Sequence, residues 1–405
     1  MDRVLVLDSR VRSATALIRN LGKDPDISVT AGGESKFLPG MLSKYSDKKF
    51  VYSRITDNPE QFVGELKEHL NANEYTAVFP VSDSTSLVCS KYKETIEDFG
   101  TIVGVEDWET FEIAYDKYKT FNLAKDINVP CPKTFSPRCL ADVKEISTNI
   151  TYPAVIKPRS KSLWSDDDGI LMRKVTNNNY PENRSELLNQ FSQIFSDPIL
   201  SKYPPLIQEY VPGEIMDTVV LADNGNIRAL LQNQRVRTYP RSGGAYTLAE
   251  TVQEPKMVEY VEKLLDEIRW TGPAMFEFMK SDGDFYLMEI NGRYWGSIGL
   301  SLSCGLDIPR MHYAQMTNKS FDNKCDYPIG VQQRWLLPGD LLWLFEGLVD
   351  GDIISMQSFI QSFFTANHDL ISVDDPLPAI GKLLHMGKLG LDVLSGDRNI
   401  YGEIG

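Results

Sequence analysis

The sequence predicts an α/β protein of more than one domain, and three observations carry that prediction. At 405 residues the chain is too long for one hydrophobic core, which implies roughly two to four domains. From Arg3 to about Gly104, short apolar strands alternate with helical segments, the pattern of a parallel sheet with helices on both faces. Farther on, two apolar strands around AMFEF and DFYLMEI flank the turn residues Lys280-Ser281-Asp282-Gly283-Asp284, which predicts an antiparallel hairpin.

The first region reads in order as the strand RVLVLD, a helix from Ser13 to Leu21, the strands SVTAGG, KFVYSR and AVFPVS, and a closing IVGVED. Pro59 to Leu70 is one of the intervening helices. Asp8-Ser9-Arg10 and Pro80-Val81-Ser82-Asp83 put polar groups at the carboxyl ends of strands, where open α/β sheets bind ligands. With no GxGxxG, a dinucleotide site is not supported. Loops without a ligand remain the alternative there.

Trp108 to Asn128 reads as one helix with Asp116-Lys117 near its centre, stopped by Val129-Pro130-Cys131-Pro132. Tyr152 to Lys157 is a strand ending in a lysine, followed by a polar loop from Arg159 to Gly169 that suits folding over phosphates. Arg184 to Phe195 is helical. The strand Pro205 to Val211 breaks at Pro212-Gly213, as a hinge between two lobes would. Thr218–Leu221 and Ile227–Asn233 form a hairpin about Asp223-Asn224-Gly225-Asn226. Arg235, Arg237 and Arg241 then precede Ser242-Gly243-Gly244, a run suited to binding an anion, with a solvated basic strand as the plain alternative. Pro255 to Ile268 is an amphipathic helix.

In the hairpin that follows, each apolar strand carries one carboxylate, Glu277 and Glu289. Burying such a group is costly unless something pairs with it. A turn near Ser281–Gly283 folds Glu277 back toward Glu289 and Asn291. A hard cation held by carboxylate and amide oxygens would be the partner, most commonly Mg²⁺ bridging nucleotide phosphates. A solvated edge hairpin with stray acids is the bland reading. Beyond it, 299–304 and 308–316 are helical and 331–336 is a strand containing Arg334. The rest, 340–405, mixes apolar helices with loops, and Leu377 to Leu391 carries no evident chemistry.

Composition narrows the partners. A net charge of −14, from 42 basic and 56 acidic side chains, argues against broad nucleic-acid or anionic-membrane binding. The 5 cysteines are scattered without a CxxC, which reads as reduced thiols, not a disulfide framework or zinc site. None of the 4 histidines sits at a metal-ligand spacing. The chain opens on a charged residue and a strand, with no apolar run of the ~20 residues a membrane helix needs. A soluble, cytoplasmic protein is the expectation.

Taken in order, these motifs resemble the ATP-grasp superfamily, from roughly Trp108 to Met316. The resemblance implies an N-terminal parallel α/β pre-ATP-grasp domain over residues 1–110 and a small lobe over 111–210. A large lobe over 211–325 and a C-terminal extension over 326–405 complete the scheme. It further implies ATP and Mg²⁺ (or Mn²⁺) as cofactors. Lys117 and Lys157 match the lysines that hold the α- and β-phosphates. Gln208, Glu209, Tyr210 and Val211 match the adenine-binding linker, and Glu214 the acid that often holds ribose. Glu277, Glu289 and Asn291 match the metal ligands. Arg293 matches the arginine on the transferred phosphate, a task shared with Arg235 or Arg237.

Within the superfamily, Glu289-Ile290-Asn291-Gly292-Arg293-Tyr294-Trp295-Gly296-Ser297 is similar to the carboxylate–amine ligases, also called ATP-dependent carboligases. That subgroup commonly has Pro where Gly292 stands. The loop after Lys157 lacks the glycine-rich run of biotin carboxylase, which argues against carboxylation of biotin. The expected activity is therefore ATP-dependent amide formation through an acyl-phosphate, with a small-molecule carboxylate and an amine as partners and a homodimer as the default assembly. A phosphotransferase without an amine step and a non-catalytic nucleotide-binding protein are the alternatives.

Overall fold

The structure, a computed structural model, describes residues 1–165, 169–172, 179–197, 200–241 and 243–394. The N-terminal strands are β1 (Asp2–Val6), β2 (Ile27–Gly33), β3 (Lys48–Val51), β4 (Ala77–Phe79) and β5 (Ile102–Val103). They form an all-parallel sheet in the order β3-β2-β1-β4-β5, as the alternating pattern predicts. Helices α1 (Arg12–Leu21), α2 (Pro59–Ala72), α3 (Asp83–Lys91) and α4 (Lys93–Glu97) connect them. Asp8, at the end of β1, adopts φ 63°, a conformation that Asp tolerates better than most residues. Its buried carboxylate accepts from the backbone N–H groups of Val81 and Ser82 at 3.0 and 2.8 Å and from the Thr85 hydroxyl. With Ser82 and Thr85 forming a capping box, this fixes the start of α3 and places Asp83 in its first turn.

The expected helix from Trp108 to Asn128 is two helices, α5 (Trp108–Tyr115) and α6 (Lys117–Asp126), broken at Asp116. Asp116 leaves the helical region at ψ 107°, and its side chain accepts from the Tyr118 N–H at 2.9 Å. An aspartate that caps a new first turn competes with continuing the old helix. Then come β6 (Thr134–Phe135), α7 (Leu140–Ile146), β7 (Ala154–Lys157), the strands β8 (Ser162–Ser165) and β9 (Gly169–Met172), α8 (Arg184–Ser196) and β10 (Leu206–Glu209). Strands β6, β10 and β7 form an antiparallel sheet over a small core of Val143, Ile156, Leu187, Phe191 and Ile207. Strands β8 and β9 form a separate two-stranded hairpin. It reaches the N-terminal domain, where the Ile170 N–H donates to the Thr56 carbonyl at 3.2 Å. Part of the expected phosphate loop, 166–168, lies outside the described residues, as does Ser242.

The large sheet contains β11 (Glu214–Asp223), β12 (Asn226–Tyr239), β13 (Ala245–Val252), β14 (Gly272–Ser281) and β15 (Asp284–Asn291), with α9 (Pro255–Ile268) between β13 and β14. After α10 (Ile298–Ser303) and α11 (Ile308–Met316), the chain adds β16 (Gln332–Arg334) and, beyond α12 (Leu341–Val349) and α13 (Ile353–Thr365), β17 (Asn367–His368). The order is β15-β14-β11-β12-β13-β16-β17, and α14 (Leu377–Leu394) follows. Two apolar cores run without interruption from the N-terminal sheet into this one. One joins Leu5, Leu7 and Phe62 to Phe276, Phe278, Leu287 and α9; the other joins Val4, Val6 and Leu17 to Val219, Leu231 and Ile298. Among the described residues, no helix is long and apolar enough to cross a membrane.

Candidate active site

The site grows from the register of the large sheet. Glu289 on β15 lies opposite Glu277 on β14, Glu277 opposite Asp217 on β11, and Asp217 opposite Asn233 on β12. Cross-strand partners share a face, so three carboxylates and an amide form one row. The turn at Asp282 (φ 50°) and Gly283 (φ 80°) sets the pairing as far as Phe278 with Leu287, and a one-residue shift at Met288 then brings Glu277 opposite Glu289. Glu289, Asp217 and Asn291 are buried, each at 5% exposure or less.

Cations surround the row. On Glu289, the Lys117 ammonium lies 3.1 Å from Oε2 and the Lys161 ammonium 2.5 Å from Oε1. Lys161 also lies 3.4 Å from Asn291 Oδ1, while the Asn291 amide donates to Glu289 Oε1 at 3.0 Å. Burial works against the charge of Glu289. Lys161, then Lys117 and Lys157, outweigh that cost and hold its carboxyl well below the ordinary range. Lys157 donates to the Met288 carbonyl at 3.4 Å. Desolvation foremost, with Lys117 behind it, pushes Lys157 down to about 8 against the pull of Glu289 and Glu277.

Two arginines close the ends. Arg235 grips Asp217 through Nε at 3.1 Å and Nη2 at 2.8 Å, gives Nη1 to the Gly244 carbonyl at 2.9 Å and also pairs with Glu277. Arg293 forms a fork on Asp83 of α3 at 2.6 and 2.9 Å and reaches Asn291 Oδ1 at 3.1 Å. Burial pushes the Asp83 carboxyl up, but Arg293 and Lys161 together hold it below the usual range. A helix that follows the N-terminal sheet's β4 thereby positions a side chain that follows β15 of the large sheet.

Among the described residues, no group of three His, Cys, Asp or Glu side chains converges as a metal centre. The donor set still suits a hard divalent cation: two carboxylates and an amide oxygen, with an ammonium already seated on Glu289 and Asn291.

With this geometry in view, the comparisons with known proteins are informative. A family model described as "ATP-grasp in the biosynthetic pathway with Ter operon" matches residues 202–336. The biotin carboxylase domain of the Hydrogenobacter thermophilus 2-oxoglutarate carboxylase, solved with MgADP, ADP and bicarbonate, has a TM-score of 0.64 against this chain. That likeness is at 17% identity and covers 82% of this chain and 73% of the other. Residues 202–336 thus match an ATP-grasp family model, and the fold of the chain is that of the solved structures it resembles. A second ATP-grasp likeness is to the L-amino acid ligase of Bacillus licheniformis, with a TM-score of 0.59 at 13% identity, covering 78% of this chain and 74% of that one. In sequence, the chain is 21% identical over 282 residues to the carbamoyl phosphate synthase large chain of Clostridium acetobutylicum. That match takes in 68% of this chain and 24% of the synthase, so this chain spans about a quarter of that relative's length.

Within the ATP-grasp fold, Lys117, Lys157, Glu277, Glu289, Asn291, Arg235 and Arg293 gather around one row. The linker residues lie at the end of β10. Gln208 is buried, its amide donating to the Thr134 hydroxyl at 2.8 Å, and the Glu209 N–H donates to the Lys133 carbonyl at 3.0 Å. Tyr210 is exposed, edge-on to Tyr180, and Val211 is half-buried. Gly213 (φ 153°) passes so close to β14 that a Cβ would meet the Lys280 carbonyl at 2.1 Å. Glu214 is exposed, opposite Lys280 at the start of β11.

Of the two arginines expected as alternatives, the structure brings Arg235 to the row and not Arg237. Arg235 lies opposite Ala249 and Arg237 opposite Leu248, so Val236 is an extra residue on β12. Such a bulge turns the next side chain to the other face. Arg237 instead meets Asp340 at 3.1 Å, Ser362 at 2.6 Å and the face of Trp343. Arg241 also stacks on Trp343. Sequence reasoning missed Asp217 and gave no individual role to Asp83, Lys161 or Arg159, which it placed only within a strand-end run and the polar loop; Arg159 forks onto Asp116 at 2.5 and 3.0 Å. Asp217 was visible only as a lone acid in a strand, the same signal that marks Glu277.

Proposed function

We propose that this protein is an ATP-dependent carboxylate–amine ligase. A substrate carboxylate attacks the γ-phosphate of ATP to give an acyl-phosphate and ADP; an amine then attacks the acyl carbon and expels phosphate, leaving an amide. The observation that carries this reading is the row Glu289–Glu277–Asp217 with Lys117, Lys157 and Lys161 around it: anionic ligands for a cation beside cations for phosphate. Such chemistry needs charge placed in advance more than covalent help.

A divalent ion bound by Glu277, Glu289 and Asn291 would neutralise phosphate oxygens and polarise the transferred group. Lys117, held rigidly at the start of α6, and Lys157, at the end of β7, hold the nucleotide's phosphates. Arg293, oriented by Asp83, faces the transferred phosphate, and Arg235 sets the charge and position of Glu277. The segment 208–211 would offer its backbone groups to the nucleotide base. The β8–β9 hairpin, whose link from β7 brings Lys161 to Glu289, would exclude water, which would hydrolyse an acyl-phosphate.

The neighbouring proteins differ in the acid and in the step that follows. One was solved with bicarbonate and another is named an L-amino acid ligase. The acid is proposed as a class, therefore, and self-association as a homodimer is proposed with it, the carboxylase neighbour having been solved as a dimer. The decisive experiment is ADP release across a matrix of carboxylic acids and amines, with mass spectrometry of the products. Glu289→Gln should lower ADP formation at least about a hundredfold with the fold intact by circular dichroism. ADP formation at the wild-type rate in that variant would sink the assignment.

A further inference from the structure

We propose that Lys161 is the resident counter-ion of this site: its ammonium holds the metal position on Glu289 and Asn291 until nucleotide arrives, then moves to the transferred phosphate. This rests on the ligase reading only in placing a cation on those two residues.

Its contacts are the first support. Lys161 Nζ lies 2.5 Å from Glu289 Oε1 and 3.4 Å from Asn291 Oδ1. A magnesium or manganese ion binds oxygen at about 2.0–2.1 Å. On Glu289 Oε1 it would stand beside an ammonium at hydrogen-bond distance, and two cations that close repel. Lysine and metal therefore compete for the site. The second support is the balance of charge. Lys117, Lys157, Lys161, Arg235 and Arg293 face Glu289, Glu277, Asp217 and Asp83. Cations outnumber carboxylates before any metal enters, so a divalent ion meets a site already neutralised. A triphosphate reverses that balance and gives a displaced ammonium somewhere to go.

The third support is mobility by construction. Lys117 is anchored at a helix start with 7% of its side chain exposed, whereas Lys161 has 41% exposed. Lys161 sits on the link between β7 and β8, outside both sheets of the lobes and next to the buried Ser160. A long side chain on such a link can swing several ångströms without moving a strand.

Binding of Mn²⁺ to the nucleotide-free protein, measured by electron paramagnetic resonance, tests the exchange. Lys161→Met should bind Mn²⁺ about tenfold more tightly than wild type, about 1.4 kcal/mol of relieved competition, and form ADP more slowly. Lys161→Arg, which keeps a cation there, should retain the wild-type Mn²⁺ affinity; a purely structural lysine would not separate the two variants in this way. Equal or weaker Mn²⁺ binding by Lys161→Met overturns the proposal, as does a failure of both proteins to bind Mn²⁺. Glu289→Gln in the Lys161→Met background separates the two readings. If Mn²⁺ binding survives there unchanged, the metal assignment itself is wrong, whatever Lys161 does.

Discussion

Lys157 carries a charge that pH can remove within the range of an ordinary assay. Desolvation and Lys117 bring it from 10.5 to about 8, so its charged form is disfavoured in the ligand-free protein. A triphosphate beside it restores the charge. Nucleotide binding should therefore take up protons near pH 8, and affinity for ATP should fall as pH rises through that value. Stability runs the other way. Between about 8 and 10.5 the unfolded chain binds a proton that the native protein lacks, so stability rises with pH there. Titration calorimetry in two buffers of different ionisation enthalpy measures the uptake; Lys157→Met should abolish it, and equal uptake in both proteins would refute the assignment. At this scale Lys157 was legible because it ends an apolar strand. Arg237 was misplaced because a single bulged residue, Val236, inverts the alternation that a strand pattern assumes.

The α5–α6 junction shows how one element aims a functional group. Asp116 caps α6 and receives the fork of Arg159, while the Lys117 N–H donates to the Arg159 carbonyl at 2.8 Å, which points the Lys117 side chain at Glu289. Asp116→Ala should cost about 1 kcal/mol of cap stability and raise the KM for ATP, with a smaller effect on kcat, because Lys117 remains present but loosely directed. Steady-state kinetics beside thermal unfolding would read both effects; an unchanged KM would show that the cap has no part in nucleotide binding. The break itself could not be read from sequence, since apolar spacing continues across Asp116 and only tertiary contacts select the new start. The β14–β15 hairpin was legible for the opposite reason. Its apolar strands and Asp-Gly turn mark the hairpin and pair it as far as Phe278 with Leu287, but the one-residue shift at Met288 that brings Glu277 opposite Glu289 has no signal in the turn. Lys161 was legible only as part of the polar loop expected to fold over phosphates, because such a link has no periodicity that singles out one residue.

Across the whole molecule, the site depends on how the N-terminal sheet sits on the large lobe, since Asp83 on one orients Arg293 on the other. His312 of α11 lies in that seam. It is 4% exposed, its Nδ1 lies 2.8 Å from the Tyr294 hydroxyl, its ring meets Phe79 of β4 edge-on, and a Cβ on Gly104 would come within 3.1 Å of it. Burial alone pushes its imidazole from 6.5 down to about 3, so the native seam holds it neutral. As pH falls below 6.5 the unfolded chain takes up a proton that the native protein refuses. The stability present above pH 6.5 is therefore lost progressively toward pH 3. His312→Gln keeps a partner for Tyr294 without titrating. Thermal unfolding from pH 7 to 4 should show the wild type losing stability faster than the variant, with the gap widening toward acid. Parallel curves would mean that the histidine is not confined by the seam. Because the same contact surface carries Asp83, ADP formation in the wild type should fall in acid before the large sheet unfolds, and His312→Gln should delay that fall.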